Sequence, residues 1–213
     1  MKLINKVILV VGLPLLLTSL LTWAAPTKPT APTLAIGKPA PNFKLTGSDS
    51  KTYQLKDYRG KLVVLEWTNA QCPFVQKHYD SGNMQKLQKQ AAKDGVVWLS
   101  IISSAPGKQG YVTPKEANAI VAKEKAAPSA VLLDPTGKVG RLYKATNTPG
   151  MYIIDKQGKL AYMGAIDNKP TAKQADVAQA HNYVAAALNE LEQGKSVTDP
   201  VTPPYGCSIK YAG

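Results

Sequence analysis

The sequence predicts an α/β domain with a mixed central sheet and helices on both faces. Three observations predict it. Apolar runs of strand length alternate with stretches of helical spacing through the middle of the chain, which implies parallel strands joined by helical crossovers. Two strand-like runs near the end are joined by Lys156-Gln157-Gly158, a hairpin signal that adds antiparallel strands. The apolar fraction of 44% and charged fraction of 19% are those of a globular chain, and 213 residues less the front end suit one domain.

The front end reads as a targeting segment. Lys2 and Lys6 precede an apolar run from Val7 to Trp23, followed by the small residues Ala24 and Ala25. That is the order of a secretory signal peptide, residues 1–24, cut after Ala24. The alternative is an uncleaved anchor, but the run is short for a span and holds Pro14. No later segment is apolar enough to cross a membrane, so no stable insertion is expected after cleavage. Residues 25–35, prolines among Thr and Ala, form an extended tether. The domain is expected over 36–193 and a tail over 194–213.

Within the domain, Thr52 to Leu55 is a short alternating edge strand. Lys61 to Thr68 (KLVVLEWT) is a buried strand. After Asn69-Ala70-Gln71, Cys72-Pro73 opens a helix, because a proline in the first turn forfeits no hydrogen bond. Ser81-Gly82-Asn83 interrupts that helix. Met84, Leu87 and Ala91 continue at helical spacing as far as Asp94-Gly95. Val96 to Ile102 is a second buried strand. Thr113-Pro114-Lys115-Glu116 has the cap, proline and glutamate of a helix start. Val131 to Asp134 is a third strand, Met151 to Asp155 and Lys159 to Ala165 are the hairpin, and Val177 to Gln193 is the last helix. The order is β, β, α, β, α, β, α, β, β, α. Trp67, Trp98 and Tyr152 fall in strands and belong to the core.

Formal net charge is +12, yet the basic groups are scattered and only Arg59 and Arg141 are arginines. Nucleic-acid sites favour clustered arginine beside aromatic residues, so a nucleic-acid partner is not expected. Two cysteines and two histidines offer no close-spaced ligand pair, so neither a metal nor another cofactor is expected. His78 and His181 read as packed or solvated helix residues.

The chemistry centres on Cys72. It follows a strand and opens a helix, where free N–H groups and the helix dipole stabilise an anion. Thiolates so placed have pKa values lowered to roughly 3.5–7.5. The plain alternative is a buried small hydrophobe or half of a structural disulfide.

Leu65-Glu66-Trp67-Thr68-Asn69-Ala70-Gln71-Cys72-Pro73-Phe74-Val75 resembles the strand and active-site turn of exported members of the thioredoxin superfamily. Thr148-Pro149-Gly150 with Met151 to Asp155 resembles that superfamily's cis-proline segment, and Asp155 to Gly164 its closing hairpin. Ile36-Gly37-Lys38-Pro39-Ala40-Pro41-Asn42-Phe43 is similar to the opening of the redoxin and alkyl hydroperoxide reductase/thiol-specific antioxidant branch. The resemblance implies a thioredoxin-like three-layer α/β/α fold over about Ile36 to Gln193. It also implies a cis Thr148-Pro149 bond lying against the nucleophile, with neighbouring main chain free to pair with an extended peptide.

Two departures bear on mechanism. Val75 stands where thioredoxins carry their second cysteine. Leu65 and Asn69 stand where peroxiredoxins carry proline and threonine, and neither arginine is placed beside Cys72. Cys207 in the tail can supply the missing thiol. From Gly194 it reaches on the order of 40 Å, enough to return to Cys72. A flexible tail cysteine resembles the resolving thiol of two-cysteine peroxiredoxins. The alternative is a permanent Cys72–Cys207 staple worth roughly 4–5 kcal/mol.

The expected function is that of an exported thiol-disulfide oxidoreductase. Cys72 and Cys207 are its catalytic residues, and Asn69, Pro73, Thr148 and Pro149 border the substrate. Its partners are protein or small-molecule disulfides and thiols and an external reductant, and its place is the bacterial periplasm. The alternatives are a thiol peroxidase, with peroxide as substrate, and a non-catalytic binding module with a structural disulfide.

Overall fold

The structure, a computed structural model, describes residues 34–213; the expected leader and nearly all of the expected tether lie outside the described residues. Seven strands form one sheet: β1 (Lys44–Gly47), β2 (Thr52–Gln54), β3 (Val63–Trp67), β4 (Val97–Ile102), β5 (Ala130–Leu133), β7 (Gly150–Ile154) and β8 (Leu160–Gly164). Their order is β2-β1-β5-β4-β3-β7-β8. Strands β3, β4 and β5 run parallel, β7 runs antiparallel to β3, and β8 runs antiparallel to β7, as the crossover and hairpin signals require. The helices are α1 (Pro73–Asp80), α2 (Asn83–Lys93), α3 (Pro114–Glu124), α4 (Lys138–Leu142) and α5 (Tyr183–Glu192). A second, two-stranded sheet pairs β6 (Asn147–Thr148) with β9 (Cys207–Ser208).

The period of two along each strand divides the core. On one face Val63, Leu65 and Trp67 of β3 pack with Leu99 and Ile101 of β4, Tyr152 of β7 and Tyr143 beyond α4. The rings of Trp67, Tyr143 and Tyr152 meet at centroid distances of 4.9–5.7 Å. On the other face Val64, Trp98, Met151 and Ile153 pack under α1, α2 and α5, with Cys72, Val75, Met84, Val184 and Leu188. Both tryptophans and Tyr152 are core, as read from the strands. Leu34, in the segment read as tether, is also buried here.

The capping box of α3 forms as its sequence demands: Thr113 accepts from the Glu116 N–H, and the Glu116 carboxylate accepts from the Thr113 N–H at 2.7 Å. The last helix differs from the continuous stretch expected over Val177–Gln193. Residues Gln174–Gln179 form a 3₁₀ turn and α5 begins only at Tyr183. The cause is tertiary. Asn168 Oδ1 accepts from the His181 N–H at 2.9 Å, Asp167 and Asn182 form an antiparallel bridge, and Asn182 then caps α5 through the Ala185 N–H. These bonds draw 180–182 out of helical conformation. Among the described residues no helix is long and apolar enough to cross a membrane.

Candidate active site

The turn after β3 presents the candidate nucleophile. Asn69 shapes it: its side-chain oxygen accepts from the Gln71 N–H at 2.9 Å, and its carbonyl accepts from the Cys72 N–H at 2.9 Å. The loop of Ser103–Gly110 leans on this turn. Gln109 Nε2 donates to the Gln71 carbonyl at 3.3 Å, and Gly110, at φ +86°, lies so close that a Cβ there would sit 2.5 Å from the Asn69 carboxamide. Cys72 is the N-cap of α1, and Pro73 fills its first turn.

Sheet register brings the second half of the site to Cys72. Trp67 is opposite Gly150 in the β3–β7 pair, so the chain just before β7 runs beside the turn just after β3. The Thr148-Pro149 bond there is cis. Cys72 Sγ donates to the Thr148 carbonyl at 3.2 Å. Thr148 is in turn the register partner of Cys207. The two cysteines are free thiols, and Cys207 packs against the apolar cluster that holds Cys72. The structure therefore unites Cys72, Cys207 and Thr148, keeps Pro73 and Pro149 beside them in the chain, and uses Asn69 to form the turn.

The tail is not the flexible segment expected. Thr202 and Ile209 are buried, the Tyr162 hydroxyl hydrogen-bonds Thr202 Oγ1, and the Met163 N–H donates to the Pro200 carbonyl at 3.0 Å, covering part of the outer edge of β8. The main chain at Thr148, expected to be free for an extended peptide, is paired with this tail. Cys72 is fully buried as a result.

Burial pushes the Cys72 thiol up, but hydrogen bonds outweigh it and bring it below the ordinary value. They come from the Cys207 thiol, the Thr148 hydroxyl, and the N–H groups of Val75 and Cys207. Cys207 moves the other way, to about 11, through burial and then through donation to Cys72 and the nearby Cys72 charge. Titrating the thiolate absorbance of the reduced protein is expected to give one step below the free-cysteine range and a second near pH 11. Cys207→Ala is expected to move the first step up, since it removes the thiol donor. A first step that stays where it was would contradict this account.

Two buried clusters carry no motif in the sequence. The Glu66 carboxyl, on the α1 face of β3, accepts from Tyr79 Oη at 2.9 Å, Trp98 Nε1 at 2.7 Å, Ser100 Oγ at 2.8 Å and Gln88 Nε2 at 3.4 Å. Its one signal was a charged residue at an inward position of an apolar strand. Nearby, Lys77 and Asp167 form an ion pair at 3.5 Å with both side chains buried, and His78 and Tyr205 join them. Burial holds His78 near pKa 4, so of the two readings left open it is the packed, neutral histidine. His181 is exposed beside Tyr183. Arg59 is engaged with the Gln157 carbonyl, and Arg141 with the carbonyls of Thr136 and Ala212.

Comparison with known proteins agrees with this fold. A thiol-disulfide oxidoreductase ResA from Bacillus thuringiensis is 27% identical over 127 residues, covering 60% of this chain and 68% of that protein. An uncharacterized conserved protein from Geobacillus kaustophilus superposes with a TM-score of 0.71 at 27% identity, over 84% of this chain and 94% of the other. A hypothetical protein from Sinorhizobium meliloti shares the fold at the same TM-score and 22% identity, over 85% and 97% of the two chains. The AhpC/TSA family model matches residues 36–163, from the opening segment through the closing hairpin. The chain is thus a thioredoxin-like redoxin and belongs to the AhpC/TSA family.

Proposed function

We propose that this thiol-dependent oxidoreductase acts after export and reduces disulfides by thiol-disulfide exchange, with Cys72 as nucleophile and Cys207 as resolving thiol. The observation that carries the reading is the β6–β9 pair, in which Cys207 is opposite Thr148, the residue whose carbonyl accepts from Cys72 Sγ. In the first step the Cys72 thiolate attacks one sulfur of a substrate disulfide, forming a mixed disulfide and expelling the other sulfur as thiolate. In the second, Cys207 loses its proton and attacks Cys72 Sγ. That forms the Cys72–Cys207 disulfide and releases the remaining substrate thiol. An external dithiol returns the two electrons. Pro73, Asn69, Thr148 and Pro149 border the path of the substrate. The name of the Bacillus thuringiensis relative supports the reaction class, and the basic and apolar leader supports export.

Peroxide cleavage needs donors that polarise the O–O bond, and both arginines are engaged elsewhere. The test is to mix Cys207→Ser with a disulfide peptide and look for the mixed disulfide by mass spectrometry. The variant is expected to stall there, while wild type releases both thiols. Rapid sulfenic acid formation on Cys72 at micromolar peroxide, with slow reaction at the peptide, would make peroxide reduction the function. A Cys72–Cys207 potential below about −300 mV with no turnover would instead make the bond an inert staple.

A further inference from the structure

One side chain, Tyr205, ties the tail strand to the helix that starts at Cys72. Phe74, Lys77 and His78 share one face of α1 by their spacing of three and four. Tyr205, two residues before Cys207, packs onto that face. Its ring centroid is 5.9 Å from that of Phe74, and Lys77 Nζ lies 5.5 Å above it. Its hydroxyl donates to Asp167 Oδ1 at 2.6 Å and so accepts from His78 Nε2 at 3.1 Å. Asn83 Nδ2 then donates to His78 Nδ1 at 2.9 Å, which fixes the neutral ring in the Nε2–H form. Asp167 is held in its turn by Lys77 at 3.5 Å and by the Lys169 N–H at 2.9 Å.

Gly206 links this anchor to the thiol. Its φ is +106°, and a Cβ there would lie 2.1 Å from the Thr148 carbonyl oxygen, so only glycine lets the tail turn down onto Thr148. Asn147 Nδ2 donates to the Gly206 carbonyl at 2.9 Å.

We propose that Tyr205 is a positioning residue for the thiol exchange: gripped by α1 and Asp167, it holds Cys207 at Cys72 and keeps the Cys72 thiol covered until a substrate displaces the tail. The inference rests on the exchange reading above and adds a consequence that reading lacks. Loosening Tyr205 acts on the two steps with opposite sign. Cys72 becomes easier to reach, and Cys207 becomes a less effective partner for it. A change that weakened the whole fold would move both in the same way but would also lower the melting temperature, which is measured alongside.

The test uses the reduced full chain and its Tyr205→Phe and Tyr205→Ala variants. One readout is the rate of iodoacetamide labelling at Cys72, assigned by peptide mass. The other is the Cys72–Cys207 disulfide fraction in glutathione buffers, which measures how effectively Cys207 meets Cys72 without any turnover. Tyr205→Phe loses one hydrogen bond to a buried carboxylate, and about a tenfold change in each is expected from that. Labelling rises. The disulfide is favoured about tenfold less, a potential about 30 mV higher. Tyr205→Ala is expected to exceed both changes. Tyr205→Phe keeps the ring and decides the matter if Tyr205→Ala does not fold. Unchanged values in Tyr205→Phe, or both quantities moving in one direction, overturn the proposal. Failure of wild type to turn over a disulfide peptide would instead count against the exchange reading, since neither measurement here depends on turnover.

Discussion

Cys72→Ser is expected to lower disulfide turnover by at least about 10³-fold while leaving the fold in place. A serine hydroxyl matches the thiol in shape and can still donate to the Thr148 carbonyl, as the thiol does at 3.2 Å. It does not ionise near neutral pH. The N–H groups of Val75 and Cys207 and the Cys207 thiol, which bring the cysteine below its ordinary value, cannot bring an alcohol into that range. The first step then lacks its nucleophile, and Cys207 cannot take over. Its burial, the first cause of its raised pKa, persists without Cys72 and keeps it mostly thiol at neutral pH. The check is release of free thiol from a disulfide peptide in the presence of a dithiol reductant, alongside a thermal melt. Stability is expected to stay within about 1 kcal/mol of wild type, because the buried hydroxyl keeps a partner. Turnover above a tenth of wild type would remove Cys72 from the mechanism.

Glu66→Ala is expected to destabilise the chain by about 3–5 kcal/mol, the range for removing one member of a buried, charged or polar network. For a domain of this size each kcal/mol shifts Tm by roughly 2–4 °C, so a fall of about 6–20 °C is expected. The size follows from the donors left behind. Trp98 Nε1 and Ser100 Oγ, at 2.7 and 2.8 Å, lose the acceptor they share, and both are fully enclosed by the α1 face of the sheet. Tyr79 Oη, at 2.9 Å, loses its own. Glu66→Gln keeps one acceptor oxygen but turns an amide N–H₂ toward groups that already donate, and about 1–2 kcal/mol is expected from it. Circular dichroism melts of the reduced proteins under one buffer decide this. A Glu66→Ala loss below about 1 kcal/mol would mean that the four donors find other acceptors.

The parts of the fold that the sequence reveals are those whose cause is local. KLVVLEWT and VVWLSII are too apolar and too rich in Val and Ile for anything but interior strands, and they form the parallel centre of the sheet. The helix start at Cys72-Pro73 and the capping box at Thr113 follow from bonds within one turn. Strand β1, four residues of mostly exposed pattern, carries no such signal. It exists because β2 and β5 flank it. Residues 180–182 carry helical spacing, yet hydrogen bonds to Asn168 and the bridge to Asp167 override it.

The same division runs through the candidate site. The sequence by itself determined that Cys72 opens a helix, that Pro149 precedes a strand, and that a second cysteine exists in the tail. Only the tertiary structure decided that Thr148 and Cys207 are register partners and that both meet Cys72. It also decided that the carboxyl of Asp167 answers Lys77, His78 and Tyr205 from distant parts of the chain. A turn or a cap is satisfied by neighbours a few residues away and leaves a pattern. A buried charge is satisfied by whatever the packed chain brings within 4 Å, and that is set by strand register and helix docking over the whole domain.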